Sequence, residues 1–392
     1  MKITRRLFAF LILLSAPLFL LSQAQTPATP AVKGQYIAYV GTYTAKTTSK
    51  GIYAYRFDSE KGQLSSLGIA AEAADPSFLA VHPNGQFLYA VNEVGDFNGG
   101  TGGAVSAFAI NLKTGGLKFL NQVPTRGAGP CHVSLDKNGA FVLVANYDGG
   151  SIASFPVHDD GSLGTTSGFV QHSGSGPNKE RQEGPHAHWI GTSPDNRFAL
   201  AVDLGLDQAI VYGFDSSKGL FTPMLSGFAK VKPGAGARHL AFHPNGKFAY
   251  VLSEMESSVT VFSYQPKTGA FTSLQTIGAL PKDYSGLQEA AEIAVHPSGR
   301  FLYTSNRGHD SIAMFEINPA KGTLTSLGQV LTGGKTPRHF AIDPTGAYLL
   351  AENQESNNIV IFHIDPGTGN LTPTGQTIEV PSPVCITFVA AQ

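Results

Sequence analysis

Arg238 and Glu254 stand at the two ends of a stretch that reads GARHLAFHPNGKFAYVLSEMESSVTVFSY, from Gly236 to Tyr264. An arginine offers a planar fork for a carboxylate or phosphate and can polarise a carbonyl oxygen. A glutamate or a histidine can exchange a proton with a reacting atom. The pair becomes useful only if the chain between brings them together. Two short apolar runs of alternating character flank the sequence His243-Pro-Asn-Gly246, which argues two β-strands joined by a tight turn. Antiparallel pairing then sets the start of the first strand beside the end of the second. Arg238, His239 and Glu254 therefore share one edge.

The stretch is one copy of a repeat. Its first strand and turn recur from Ser77, Cys131, His188, Ala291 and Arg338, and a last copy from Val384 lacks the turn. Second strands begin at Tyr36, Phe87, Phe141, Phe198, Phe248, Phe301 and Tyr348. A third strand follows each, and a weaker fourth is expected around Leu64, Leu117, Leu163, Leu220, Phe271, Leu324 and Leu371. Four strands every 46–57 residues predict an all-β fold, a seven-bladed β-propeller with four antiparallel strands per blade. The alternative of two stacked sandwiches fits the repeat less well. The ring should be closed by three N-terminal strands and an innermost C-terminal strand, which removes a free sheet edge.

Long insertions collect on one face of such a ring: Glu93–Gly103, Gln171–Pro185 and Gln275–Ala290. Long loops on one face of a rigid scaffold point to a binding site. Ionisable residues are sparse elsewhere in these strands and concentrate at the strand ends on that face. His188, Arg238, Glu254, Arg307 and Arg338 are expected to converge on the channel mouth, with His186 close by. His132, His239, Glu292 and His339 fill the neighbouring column and are candidates for substrate contact. A structural network tying the blades together is the competing reading, because buried charges must pair or meet a ligand.

Other features read as structural. His82, His243 and His296 sit in turns on the opposite face and should cap them. Asn92, Asn146, Asp203, Asn306 and Asn353 form a column that either donates to blade backbones or gathers oxygen ligands for a cation, and backbone support is preferred. Cys131 and Cys385 fall in strands of different repeats and read as buried free thiols. The sequence has no HExxH, CxxC, P-loop or GxSxG pattern, so no metal or cofactor is expected.

The chain of 392 residues carries 14% charged and 42% hydrophobic residues and 45 glycines, at net charge −1. Without a basic stripe, nucleic acid is not an expected partner. Lys2, Arg5 and Arg6 precede an apolar run from Leu7 to Leu21 and a small-residue site near Ala24. Residues 1–24 thus read as a secretory signal peptide with twin-arginine character, 25–34 as a linker and 35–392 as the propeller. A periplasmic or secreted monomer, free of the membrane after cleavage, is expected.

The segments Arg181-Gln-Glu-Gly-Pro-His-Ala-His188, Gly236-Ala-Arg-His239, Ala291-Glu292, Ser305-Asn-Arg-Gly-His-Asp-Ser-Ile312 and Gly333-Gly-Lys-Thr-Pro-Arg-His339 resemble the seven-bladed propeller lactonase family. That family includes propeller-type 6-phosphogluconolactonases and the fungal carboxymuconate lactonizing enzyme. The resemblance spans about Gln35 to Val389. It implies a metal-independent site in which a histidine of the Pro-His-Ala-His segment (His188, or His186), Arg238, Glu254 and Arg307 are active. The expected partner is a small lactone or sugar acid, hydrolysed while the arginines hold it and Glu254 and His188 exchange protons. A muconate-type isomerising enzyme and a non-catalytic envelope binding propeller are the alternative functions.

Overall fold

A computed structural model describes residues 33–391, and the expected signal peptide and most of the linker lie outside the described residues. Seven four-stranded antiparallel sheets stand in a ring, and the described residues contain no helix. The strands form where branched and aromatic residues alternate with small ones, and glycines with positive φ, such as Gly246 at 67° and Gly346 at 77°, close the turns. Strand Pro383–Ala390 lies against Gln35–Thr42, with Tyr36 opposite Ala390 and Gly41 opposite Cys385. The first blade is thus spliced from both chain ends, as the repeat order requires.

Between blades lie apolar clusters that mix neighbouring repeats. Phe198, Leu200 and Val202 of the fourth blade pack with Leu240, Val251 and Phe262 of the fifth. Each fully buried side chain of this size stabilises by roughly 1.5–3 kcal/mol. Polar clasps add direction to this packing. The ring Nε2 of His82, His243 and His296 lies 3.0, 2.9 and 2.8 Å from the carbonyls of Gly139, Gly299 and Gly346 in the next blade's turn. Their Nδ1 atoms accept backbone N–H groups of their own turns, so each histidine caps one turn and fastens another. Across the splice, Gln376 exchanges two hydrogen bonds with the backbone of Leu64.

The asparagine column supports the backbone. Asn92, Asn146, Asn306 and Asn353 donate to the carbonyls of Ala74, Thr125, Ala279 and Thr332. Two details differ from expectation. In the third blade Leu163 makes only an isolated bridge with Val157, and the outer strand is Gly168–Gln171. His158-Asp-Asp-Gly161 turns too tightly there for a full ladder to start at once. The insertion after Asn92 also folds on itself, pairing Asp96–Phe97 with Gly100–Thr101.

The innermost strands share an irregularity that the repeat alignment does not show. Six of the seven carry a bulge at the same place. Pairing skips Cys131, His188, Arg238 and Arg338, skips Val384, and sets Ala291 and Glu292 against a single opposing residue. A bulge leaves its extra residue outside the ladder and re-aims the side chain. The first-position column of the sequence is this bulge column.

Candidate active site

At the mouth the bulges open onto a cavity of about 260 Å³ lined by Cys131, His188, Arg238 and Arg338, together with Glu93, Tyr147, Asp148, Arg181, Glu254 and Arg307. A smaller cavity of about 10 Å³ lies against it, sharing Glu93, Cys131, His188, Arg238 and Arg338 and adding Tyr43, Ser77, His239 and Glu292. All four expected active residues, His188, Arg238, Glu254 and Arg307, therefore meet in one space.

Glu254 is the hub. It is only 2% exposed. Its Oε2 pairs with Arg238 Nη1 and lies 3.2 Å from Arg307 Nη2, while Oε1 accepts from Arg181 Nη2 at 2.6 Å. Burial alone would raise its carboxyl pKa. The attraction of Arg238, Arg307 and Arg181 overrides it and holds the group well below the usual range. Glu289 bridges the outer pair, 3.7 Å from Arg181 and 3.5 Å from Arg307. Burial and the neighbouring Arg238 lower Arg307 to about 10, which still leaves it a cation at neutral pH. Backbone carbonyls fix the stems, with Arg238 Nε donating to Ala291 and Arg307 Nε to Glu289.

His188 is 4% exposed, with its Nδ1 3.7 Å from Cys131 Sγ. Burial first, then Arg238, His239 and Arg338, push its pKa well below the ordinary histidine value, so the imidazole is neutral at pH 7. His186 faces elsewhere. Its ring stacks on Tyr147 at 4.6 Å, and its nitrogens engage the Tyr147 carbonyl and Glu183 at 3.1 Å each. It lines neither cavity, and the placement favours His188 of the two.

Arg338 differs from the other arginines of the cavity. Among the described residues it has no ion pair or hydrogen bond, and its guanidinium rests over the Tyr43 ring, 5.3 Å from the centroid. Such a guanidinium is available to an incoming anion or carbonyl oxygen.

Of the remaining candidates, His239 and Glu292 line the small cavity, 3.0 Å apart. His132 and His339 lie behind the wall. His132 is packed against Phe78 at 4.3 Å and accepts the Ile190 N–H. His339 sits 3.5 Å from Glu292 and 2.6 Å from Glu352. Burial lowers the pKa of His239 and His339 and raises that of Glu352. These residues plug the channel as a hydrogen-bonded floor. The network reading of the sequence thus applies to this lower layer, for a physical reason: alternation after the bulge turns the second column down the channel.

Sequence columns missed Arg181, because it comes from the loop Gln171–Pro185 and no repeat position marks it. That loop is tied down by Gln182, which donates to the Leu204 carbonyl at 2.8 Å. Tyr43, Ser77 and Glu93 were also missed as site residues, although Glu93 and Tyr147 occupy the column of Glu254.

A closed seven-bladed ring with arginines, a histidine and carboxylates at one mouth defines the class as a propeller with a small polar site. Comparison makes it particular. The family described as Lactonase, 7-bladed beta-propeller, matches residues 37–388, and the chain belongs to that family of lactonases. It is similar to the 6-phosphogluconolactonase of Bacillus subtilis (strain 168), 43% identical over 355 residues that cover 91% of this chain and 99% of the relative. The 6-phosphogluconolactonase of Formosa agariphila is 36% identical, over 77% of this chain and 84% of its own. Among solved structures, the periplasmic gluconolactonase of Pseudomonas aeruginosa superposes with a TM-score of 0.86 at 34% identity, over 92% of this chain and 100% of that one.

Proposed function

We propose that this protein is an exported lactonase that opens a sugar-type lactone by arginine-assisted acid–base catalysis at the channel mouth. The observation that carries the reading is the meeting of a neutral imidazole, His188, and an uncommitted guanidinium, Arg338, in one 260 Å³ cavity. That volume lies below the usual range for drug-sized ligands and suits a small ring. Arg338, with Arg238, binds the lactone carbonyl or an anionic substituent and stabilises the negative charge that develops on oxygen. His188 takes the proton of the attacking water. Glu254, already saturated with guanidinium groups, acts here as the anchor that orients Arg181, Arg238 and Arg307, in place of the proton exchange expected from sequence.

Export is supported by the basic–apolar leader and by the periplasmic description of one solved relative. The protein works as a monomer, without a metal and without nucleic acid. The test is a panel of lactones, including glucono-δ-lactone and its 6-phosphate, assayed with and without chelator for wild type, His188→Gln and Arg338→Ala. We expect chelator-insensitive turnover, a loss of about 10²–10⁴-fold in kcat for His188→Gln, and a raised KM for Arg338→Ala, larger on the phosphorylated substrate. A wild type that turns over no lactone overturns the reading.

A further inference from the structure

We propose that Glu93, and not Glu254, is the carboxyl group that donates a proton to the departing ring oxygen. The proposal rests on the lactonase reading above and adds its missing acid. Glu93 and Glu254 hold equivalent places, each one residue past the second strand of its blade, after Phe87–Asn92 and after Phe248–Ser253. Both line the mouth cavity. Their surroundings are opposite. Glu254 has guanidinium groups at both oxygens, whereas no arginine or lysine nitrogen stands within ion-pair distance of Glu93 among the described residues. Instead the hydroxyls of Tyr43 (2.9 Å) and Ser77 both donate to its Oε2. Oε1 takes no hydrogen bond from the described residues, and Glu93 lines both cavities. One oxygen is fixed and the other is left for a substrate.

The groups around Glu93 come from five blades: Tyr43, Ser77, Cys131, Arg238 and Arg338. Burial raises its carboxyl pKa, against the opposing pull of Arg338, the two hydroxyls and Arg238. Burial also raises the Cys131 thiol and the Tyr43 phenol, so neither loses its proton before Glu93 does. Two carboxyl groups in one cavity, displaced in opposite directions, divide the work between an acid and a fixed charge.

The step balances. The water oxygen bonds to the carbonyl carbon while its proton passes to His188. The ring carbon–oxygen bond then breaks, its electron pair goes to the ring oxygen, and that oxygen takes the Glu93 proton. The imidazolium returns a proton to Glu93, and the product acid releases its own to solvent. One water is consumed and one hydroxy acid anion and a proton are formed.

The experiment measures kcat/KM against pH for wild type, Glu93→Gln and Ser77→Ala on a lactone that the wild type hydrolyses. Glu93→Gln should lose about 10²-fold or more and should lack the fall in rate that wild type shows as pH rises through the Glu93 pKa. Ser77→Ala removes a donor that favours the carboxylate, so it should move that fall to higher pH. A Glu93→Gln rate within threefold of wild type, or a retained alkaline fall, overturns the proposal while leaving the lactonase reading intact. If Glu93→Gln does not fold, an unmoved fall in Ser77→Ala overturns it. A wild type inert towards every lactone overturns both.

Discussion

Three guanidinium groups converge on the Glu254 carboxylate, and this residue shows how much a single buried charge can organise. Removing one partner from a buried ionic cluster costs about 3–5 kcal/mol, because the remaining charges lose their compensation. Glu254→Gln should therefore lower stability by that amount at pH 7, measured by urea unfolding, and should also abolish turnover as the arginines lose their common anchor. The linkage has a definite sign. The folded pKa of Glu254 lies below its ordinary value of 4.5, so its contribution is complete above that pH and is lost as pH falls further. Wild type should become markedly less stable below about pH 4.5, and its difference from Glu254→Gln should shrink there. The residues of this cluster were only partly legible. Arg238, Glu254 and Arg307 stood out because ionisable residues are sparse along the strands and gather in repeat columns at the strand ends. Arg181 has no column, and its role follows from where a loop folds back.

At the scale of strands and turns, sequence reading succeeded where geometry repeats and failed where the ladder is interrupted. The His-Pro-(Asn/Ser)-Gly turns announced themselves, but the second contact of each histidine, to the next blade, depends on the spacing of assembled blades. Because these clasps lie on the face away from the cavity, they separate stability from chemistry. His296→Ala leaves the Gly346 carbonyl without its 2.8 Å partner and should cost about 1–3 kcal/mol, with kcat/KM unchanged. Gly346→Ala should cost at least as much. Its φ of 77° disfavours a Cβ, which would also stand 2.8 Å from the His296 ring. Chemical denaturation together with a lactone assay checks both. The bulges were invisible because an alignment of repeats assigns one column per residue, whether that residue is paired or skipped. Only the register of hydrogen bonds distinguishes the two.

For the whole molecule, the decisive element is the splice. Ile37 and Tyr39 are buried with Cys385 and Val389 on one side of the first blade, and Ile386 packs with Phe57 and Leu350 on the other. Strand Pro383–Ala390 therefore completes two inter-blade cores as well as one sheet. Deleting residues 383–392 should open the ring, expose the Gln35–Thr42 edge and abolish a cooperative thermal transition. Circular dichroism and size-exclusion chromatography would show this as loss of the melt and aggregation, whereas a soluble, cooperatively melting product would contradict it. The ring itself was plain from the sequence, since seven copies of a four-strand unit with complementary partial ends allow few other closures. Its channel floor was not plain, because the residues that plug the channel are chemically the same histidines and glutamates that line the mouth.

The bulges carry a further consequence. A side chain that sits outside the ladder can change without altering the pairing that holds its blade. The propeller thus resembles a rigid dial with its own setting at each mark: cysteine, histidine, arginine, alanine with glutamate, arginine and valine in succession. Val384 is the unwritten mark, a small apolar residue at the edge of the inner cavity. Exchanging residues at these marks would alter what the mouth presents to a ligand while leaving the strand pairing of each blade in place.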